Sequence, residues 1–100
     1  MTYHYALADH GRTLATRPLG EQLRADLIRQ AEGQGAVILD FSEIRSTSHS
    51  FADEFVARLA EDVQRGDFDF TVTVSGATED VERVVRRALE RRGVDLPLLV

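Results

Sequence analysis

A run of hydroxyl-bearing residues around one histidine is the stretch of this sequence best suited to chemistry. Ser46, Thr47, Ser48, His49 and Ser50 lie between an apolar segment and a segment with helical periodicity. A hydroxyl at the start of a helix can cap the free N–H groups there, and a phosphate on it would be stabilised by the same groups. Ser48 and Ser50 are therefore the phosphorylation candidates.

Ser50 is followed three residues later by Asp53, which is the spacing of a helix cap. We predict that Ser50 caps the helix that begins near Phe51 and stabilises it by about 1 kcal/mol. Phosphorylation of Ser50 is the alternative function, and it would place a phosphate close to the negative charges of Asp53 and Glu54.

Other titratable residues predict little chemistry of their own. Asp53 and Glu54 could act as an acid–base pair, but acids in a first helical turn are stabilised by the helix dipole, which is the interpretation we prefer. His4, His10 and His49 lie on three separate segments, so no metal site is predicted. The sequence contains no cysteine, which excludes thiol catalysis and zinc–thiolate sites. We expect no cofactor and no enzymatic activity.

Two elements are predicted on either side of this run: an apolar strand at 36–41 and a helix at 51–64. The strand is a continuous apolar segment between glycines and polar residues, which is typical of a strand buried on both faces. In the helix, Phe51, Phe55 and Leu59 recur every four residues. Because the carboxyl ends of strands are where α/β proteins build their sites, the loop between the two elements is the expected functional region.

The remaining segments complete a single α/β domain over residues 1–100. Strands at 3–7 and 12–16 are predicted to form an antiparallel hairpin, and a helix at 17–31 has Thr16 as its cap. A strand at 68–74 and a helix at 79–92 follow, and the apolar tail 94–100 is predicted to be an edge strand. The order β-β-α-β-α-β-α predicts a small mixed sheet with helices packed on it.

Composition limits the partners. The formal net charge of −5 disfavours nucleic acid. Arginines are clustered on the last helix, but acids are interspersed among them; they are Arg83, Arg86, Arg87, Arg91 and Arg92. No apolar run approaches the roughly 20 residues that span a bilayer, and no signal peptide is recognised at the start, so no membrane partner and a cytoplasmic location are expected.

The string V-I-L-D-F-S-E-I-R-S-T-S-H-S-F-A-D-E-F, residues 37 to 55, resembles the signature of the STAS-like family of unknown function. That family has a strand ending in D-F, a short loop and a helix opening with S-F-A-D-E. The segment L-A-T-R-P-L-G-E-Q-L-R also resembles the family's first helix entry. The resemblance covers nearly the whole chain and implies a STAS-like fold.

The family is similar in layout to STAS domains, which include bacterial anti-sigma factor antagonists. Their strand end and loop lead to D-S-S-G at a helix start, where a partner kinase phosphorylates the first serine. On that pattern Ser48 falls opposite the aspartate, His49 opposite the phosphoacceptor and Ser50 opposite the second serine. The residue opposite the acceptor has no hydroxyl, although Ser48 and Ser50 flank it.

The resemblance implies a non-enzymatic regulatory domain in signalling, with a histidine-kinase-like ATPase or anti-sigma-type regulator as its protein partner. The predicted partner-binding residues are Ser42, Ser46, Thr47, Ser48, His49, Ser50, Phe51, Asp53 and Glu54. One alternative is a small-ligand or catalytic site formed by Asp40, Ser42, Ser48, His49 and Asp53. Another is a self-associating scaffold, a homodimer formed through the tail 94–100 or an exposed strand edge.

Overall fold

The computed structural model describes residues 1–99 and contains a four-stranded parallel sheet covered by three helices. The strands are β1 (Thr2–Ala6), β3 (Ala36–Asp40), β5 (Thr71–Ser75) and β6 (Leu98–Leu99). They lie side by side in the order β1-β3-β5-β6, and every pairing is parallel. Two short strands, β2 (Thr13–Leu14) and β4 (Ser46–Thr47), form a second, two-stranded parallel sheet.

The predicted antiparallel hairpin is wrong, and the main sheet is therefore parallel throughout. A single turn of 3₁₀-helix, Leu7–His10, follows β1 and separates it from β2, so β1 pairs with β3 and β2 pairs with β4. The partners of the two strands are not encoded in the local sequence, since each pairs with a segment more than 30 residues away. The predicted α/β class with a STAS-like layout is confirmed.

Three helices connect the strands of the main sheet. Helix α1 is Arg17–Ala31, and helix α3 is Glu79–Arg92. Helix α2, residues 49–64, joins the α-helical turns His49–Ala52 and Arg58–Gln64 through a π-helical segment, Asp53–Ala57. Among the described residues no helix is both long and apolar enough to cross a bilayer.

The predicted cap of α1 is confirmed by its hydrogen bond, and Thr78 caps α3 in the same way. The hydroxyl of Thr16 accepts from the N–H of Leu19 at 3.2 Å, and that of Thr78 accepts from the N–H of Val81 at 3.3 Å. At the other end of α3, Gly93 adopts a left-handed conformation with φ of 66°, as glycine after a helix commonly does.

Only one face of the sheet is fully buried, in contrast to the prediction for β3. Val37 and Leu39 are buried, whereas Ile38 between them is half-buried. Because the strands follow chain order, right-handed crossovers place all the helices on the same side of the sheet. The core between the two layers contains Leu27, Leu39, Phe41, Ile44, Phe51, Phe55, Leu59, Val74 and Val85.

Two boundaries differ from those predicted at the end of the chain. Strand β5 begins at Thr71, because Phe68 and Phe70 stack on each other before it, with ring centroids 5.2 Å apart. The tail forms the predicted edge strand through Leu98 and Leu99, and Leu96 is buried in the core. Val100, the last residue of the predicted tail strand, lies outside the described residues.

Candidate functional site

The carboxyl end of β3 leads into a turn that is fixed by hydrogen bonds. Asp40 accepts from the backbone N–H of Ser42 at 2.8 Å, and its second oxygen lies 2.7 Å from Nε2 of His4. Hydrogen bonds from Ser42, and to a lesser extent from His4, hold the pKa of the Asp40 carboxyl below its usual range. The turn therefore carries an ionised, partnered carboxylate.

Gly76, in the loop after β5, lies directly against this turn. A Cβ atom at position 76 would come within 2.9 Å of the Asp40 carboxylate and closer still to the Ser42 hydroxyl, and the residue has φ of 75°. Glycine is required here both for the backbone conformation and for the close approach. The two loops consequently pack as one surface at the carboxyl edge of the sheet.

Residues 44–48 are paired along their length with the segment before α1. The backbone N–H of Arg45 donates to the carbonyl of Arg12 at 2.8 Å, and that of Ser48 donates to the carbonyl of Leu14 at 3.0 Å. The hydroxyl of Thr47 also donates to the Leu14 carbonyl, at 3.0 Å. These bonds and the β2–β4 pairing make the hydroxyl run an ordered segment, which its composition alone did not predict.

Ser48, not Ser50, caps helix α2. Its hydroxyl accepts from the N–H of Phe51 at 3.0 Å and donates to the carbonyl of Ala15 at 2.8 Å. The prediction of Ser50 as the cap is wrong because α2 begins at His49, which places Ser50 in the first turn with its side chain exposed. The spacing from Ser50 to Asp53 was misleading, since Asp53 has partners elsewhere.

Six of the predicted site residues form an accessible surface, which we call the loop surface. Its exposed members are Ser42, Ser46 and Ser50, and its half-buried members are Thr47, Ser48 and His49. The other three predicted residues do not belong to it, and for them the prediction is wrong. Phe51 is fully buried, and Asp53 and Glu54 are 9% and 4% exposed.

Asp53 and Glu54, on α2, form a buried ion-pair network with arginines from α1 and α3. We call Asp53, Glu54, Arg17, Arg24 and Arg92 the carboxylate cluster. Arg17, at the start of α1, bridges the two acids, with its Nη1 2.8 Å from an Asp53 oxygen and 3.1 Å from a Glu54 oxygen. The predicted stabilisation by the helix dipole is thus replaced by direct pairing.

The other arginines approach from opposite sides of α2. Arg24 donates to the Glu54 carboxylate at 2.8 Å and to the Glu54 backbone carbonyl at 3.0 Å. Arg92, at the end of α3, donates to Asp53 at 2.9 Å and to Glu61 at 2.9 Å. The cluster therefore ties α1 and α3 to the helix between them.

The acids of the cluster remain ionised despite their burial. Hydrogen bonds from Arg92 and Arg17 outweigh burial and hold the pKa of Asp53 far below its usual range. Burial alone would raise the pKa of Glu54, but hydrogen bonds from Arg24 and Arg17 lower it overall. Such strong pairing favours a structural role over acid–base chemistry, in which a carboxyl must change protonation near neutral pH.

The π-helical segment of α2 lies at the centre of this packing. Residues 51–57 are all buried, because α2 is wedged between α1 and α3 and rests on the sheet. Close approach of α1 depends on Gly20, where a Cβ would be 3.1 Å from Cβ of Glu54 and 3.2 Å from the carbonyl of Phe51. A surface helix buries only one of its faces, whereas seven consecutive buried residues must be covered on every side. The helical periodicity of the apolar residues did not indicate this.

The residues predicted for a small-ligand site are distributed over separate groups. Asp40 and Ser42 bond to each other, Ser48 bonds to the segment before α1, and Asp53 belongs to the carboxylate cluster. His4 lies beside Asp40 and the ring of His10 stacks on Tyr5. Within residues 1–99 no group of three or more histidine and acidic side chains is arranged to hold a metal ion.

The arginines of α3 are divided between the surface and the interior. Arg83 pairs with Asp80 at 3.1 Å and Arg86 with Glu82 at 3.0 Å, whereas Arg92 turns inward to the carboxylate cluster. Arg87 and Arg91 are exposed and have no ion pair among residues 1–99, so the acids interrupt the basic surface of the helix without neutralising all of it.

A parallel sheet with a single helical layer, and a loop leading from its central strand into a capped helix, define an α/β domain of the STAS-like type. The family described as a STAS-like domain of unknown function (DUF4325) matches residues 20–82, more than half of the chain. The chain belongs to this family. The matched region includes the strand end, the loop surface and the S-F-A-D-E segment, which confirms the resemblance. Neither the curated proteins nor the solved structures contain a significant match.

Proposed function

We propose that this domain is a non-enzymatic regulatory module that binds a protein partner through the loop surface. The observation that carries the proposal is the fixed conformation of residues 44–48, whose hydroxyl side chains lie at the carboxyl edge of the sheet. A segment already held in one conformation loses less entropy on binding than a mobile loop does. Membership of a STAS-like family supports the choice of this edge by analogy of fold.

The chemical character of the loop surface suits recognition by hydrogen bonds. Ser42, Ser46 and Ser50 are exposed, and His49 adds an imidazole. Of the charged residues beside it, Arg12 and Glu43 form an ion pair of 2.9 Å, and Arg45 is exposed. We therefore propose a polar protein surface as the partner, and the STAS resemblance makes a histidine-kinase-like ATPase or anti-sigma-type regulator the first class to test.

Phosphorylation of the loop surface would control this binding, with Ser50 as the favoured acceptor. The Ser48 hydroxyl both donates and accepts a hydrogen bond, whereas Ser50 is exposed. The nearby Asp53 charge is compensated by Arg17 and Arg92, which reduces the repulsion that the sequence suggested. A phosphate on Ser50 would add negative charge to the first turn of α2 and change the fit to the partner.

The proposal is tested by affinity capture from cell extract with three proteins: the wild type, Ser50→Asp and Ser50→Ala. We expect the wild type and Ser50→Ala to retain the same partner and Ser50→Asp to lose it. Glu21→Gln, a change at an exposed residue on α1, is the control for nonspecific charge effects. Equal capture by all four proteins would show that the loop surface is not the regulated surface.

A second experiment separates phosphorylation from binding. The protein is incubated with extract and ATP, and mass spectrometry maps any phosphate. Modification of Ser50 in the wild type, and its loss in Ser50→Ala, is the expected result. If no residue from 46 to 50 is modified while capture is still confined to the loop surface, the binding proposal stands and the phosphorylation switch fails.

A further inference from the structure

A cleft lies at the amino-terminal edge of the sheet, at the opposite ends of the strands from the loop surface. It is formed by the end of α1, the connection to β3 and the segment before β5, and its volume is about 780 Å³. Its lining includes Ile28, Glu32, Asp67, Phe68, Asp69 and Phe70. This volume is within the range of small-molecule sites in proteins, roughly 300–1,000 Å³.

The apolar part of this amino-edge cleft is aromatic. Phe68 and Phe70 are parallel within 8° with their centroids 5.2 Å apart. Phe70 is 5% exposed and fixed in the core, whereas Phe68 is half-buried. Ile28, also half-buried, adds an aliphatic side chain from α1. The base of the cleft can therefore bury the apolar body of a ligand against a rigid ring pair.

Acidic groups dominate the charged side chains of the cleft. The one arginine that lines it, Arg29, pairs with Asp26 at 3.0 Å, and Asp67 pairs with Arg65 at 3.1 Å. Glu32 and Asp69 have no ion-pair partner among residues 1–99, and neither has the amino group of Met1, which also lines the cleft. The two carboxylates outnumber this one ammonium, so the cleft attracts a further positive charge through Coulomb attraction and the negative faces of the rings.

We propose that the amino-edge cleft binds a small organic cation, an ammonium or guanidinium group attached to an aromatic or alkyl body. The apolar body lies on Phe68 and Ile28, and the cationic group faces Glu32 and Asp69. This site does not depend on the proposed function of the loop surface, because the two regions occupy opposite edges of the sheet and share no residue.

The test is a ¹H–¹⁵N NMR titration with three probes that share a phenyl ring. Phenethylammonium is the cation, 2-phenylethanol the neutral analogue and 3-phenylpropionate the anion. We expect phenethylammonium to shift the amides of residues 28–35 and 67–70 at low-millimolar concentration. The neutral and anionic probes should bind several-fold more weakly, and added salt should weaken the cation alone.

Variants test the acidic part and the apolar part of the cleft separately. Glu32→Gln with Asp69→Asn should weaken phenethylammonium roughly fivefold and leave 2-phenylethanol unchanged, since partly exposed charge pairs contribute about 1 kcal/mol. Phe68→Leu should weaken both probes. Glu21→Gln, at an exposed acid on α1 outside the cleft, is the matched control and should weaken neither. Circular dichroism melting verifies that each variant is folded.

Three outcomes would overturn the proposal. They are no shift with phenethylammonium, equal affinity for the cationic and neutral probes, and shifts confined to residues outside the cleft. A result that overturns the cleft proposal leaves affinity capture through the loop surface unaffected, so the two proposals fail separately.

Discussion

The loop surface and the carboxylate cluster are separated by a single helical turn, yet they differ in almost every physical respect. Ser50 is exposed, whereas Glu54 is 4% exposed and paired with arginines from α1. Both belong to the S-F-A-D-E segment by which the chain resembles its family. The difference shows that one short motif combines a surface that is free to contact a partner with an ionic network that holds three helices together.

The burial of the carboxylate cluster has an energetic consequence. Breaking a buried ion pair is costly, because the remaining partner keeps its desolvated charge without compensation. Arg24 is only 15% exposed, and without Glu54 it would keep only the longer contact of 3.7 Å to Asp62. Polar residues of the loop surface, in contrast, can exchange their hydrogen bonds for water at little cost.

Glu54→Ala should produce the largest loss of stability of the changes considered. It removes the nearer carboxylate partner of Arg24 and one of the two partners of Arg17, and we expect the free energy of unfolding to fall by about 3 kcal/mol. Urea denaturation followed by circular dichroism measures it. Glu21→Ala, at an exposed acid on α1, is the control and should change stability by less than about 0.5 kcal/mol. Equal losses for the two variants would mean that the cluster does not stabilise the fold.

Arg92→Ala should alter the dependence of stability on pH. In the wild type the pKa of Asp53 is lower in the folded state than in the unfolded state, chiefly through its hydrogen bonds to Arg92. Its contribution to stability is therefore present above the unfolded pKa of about 4 and is lost as pH falls toward the folded pKa. Without Arg92 this contribution shrinks, so the stability gap between wild type and variant should narrow from pH 6 to about pH 3.

The pH prediction is measured by urea denaturation of both proteins at a series of pH values. Arg83→Ala is the matched control, since Arg83 pairs only with exposed acids of its own helix. Its stability difference from the wild type should stay nearly constant over the same range. A gap for Arg92→Ala that stays constant or widens on acidification would contradict the assigned role of Arg92.

The difference in stability between Ser48→Ala and Ser50→Ala should be smaller than the loss expected for Glu54→Ala. Removing the Ser48 hydroxyl deletes the cap of α2 and the bond to the Ala15 carbonyl, and a lost cap costs about 1 kcal/mol. Ser50→Ala removes an exposed side chain and should change stability by less than about 0.5 kcal/mol. Thermal melting of the two variants side by side checks this prediction. A larger loss of stability for Ser50→Ala would indicate that Ser50, not Ser48, caps the helix.

Local patterns in the sequence were sufficient for the α/β class and most helix boundaries. Helix α3 begins and ends at the predicted residues, Glu79 and Arg92. Interactions between distant segments were not predictable in this way. The partners of β1 and β2 were misassigned, and the arginines that neutralise Asp53 come from positions 36 residues earlier and 39 residues later.

The sequence did not show which of the predicted site residues are buried. The loop from Ser42 to Ser50 was located by its composition and by the strand before it, and the resemblance to a STAS-like family was confirmed. The inclusion of Phe51, Asp53 and Glu54 in the surface failed, because the turn after the cap is covered by α1 and α3. Seven consecutive apolar or acidic residues beginning at Phe51 were the one local sign of that burial.

Site-specific photo-crosslinking in cell extract tests the central claim most directly. A photoreactive amino acid is placed at position 50 on the loop surface and, in a second protein, at position 90, an exposed position near the end of α3 and away from the carboxyl edge of the sheet. We predict a discrete crosslinked protein from position 50 that is absent from position 90 and is lost when residue 46 is changed from serine to arginine. Identical products from positions 50 and 90, or no product from position 50, would contradict the loop surface as the partner-binding region.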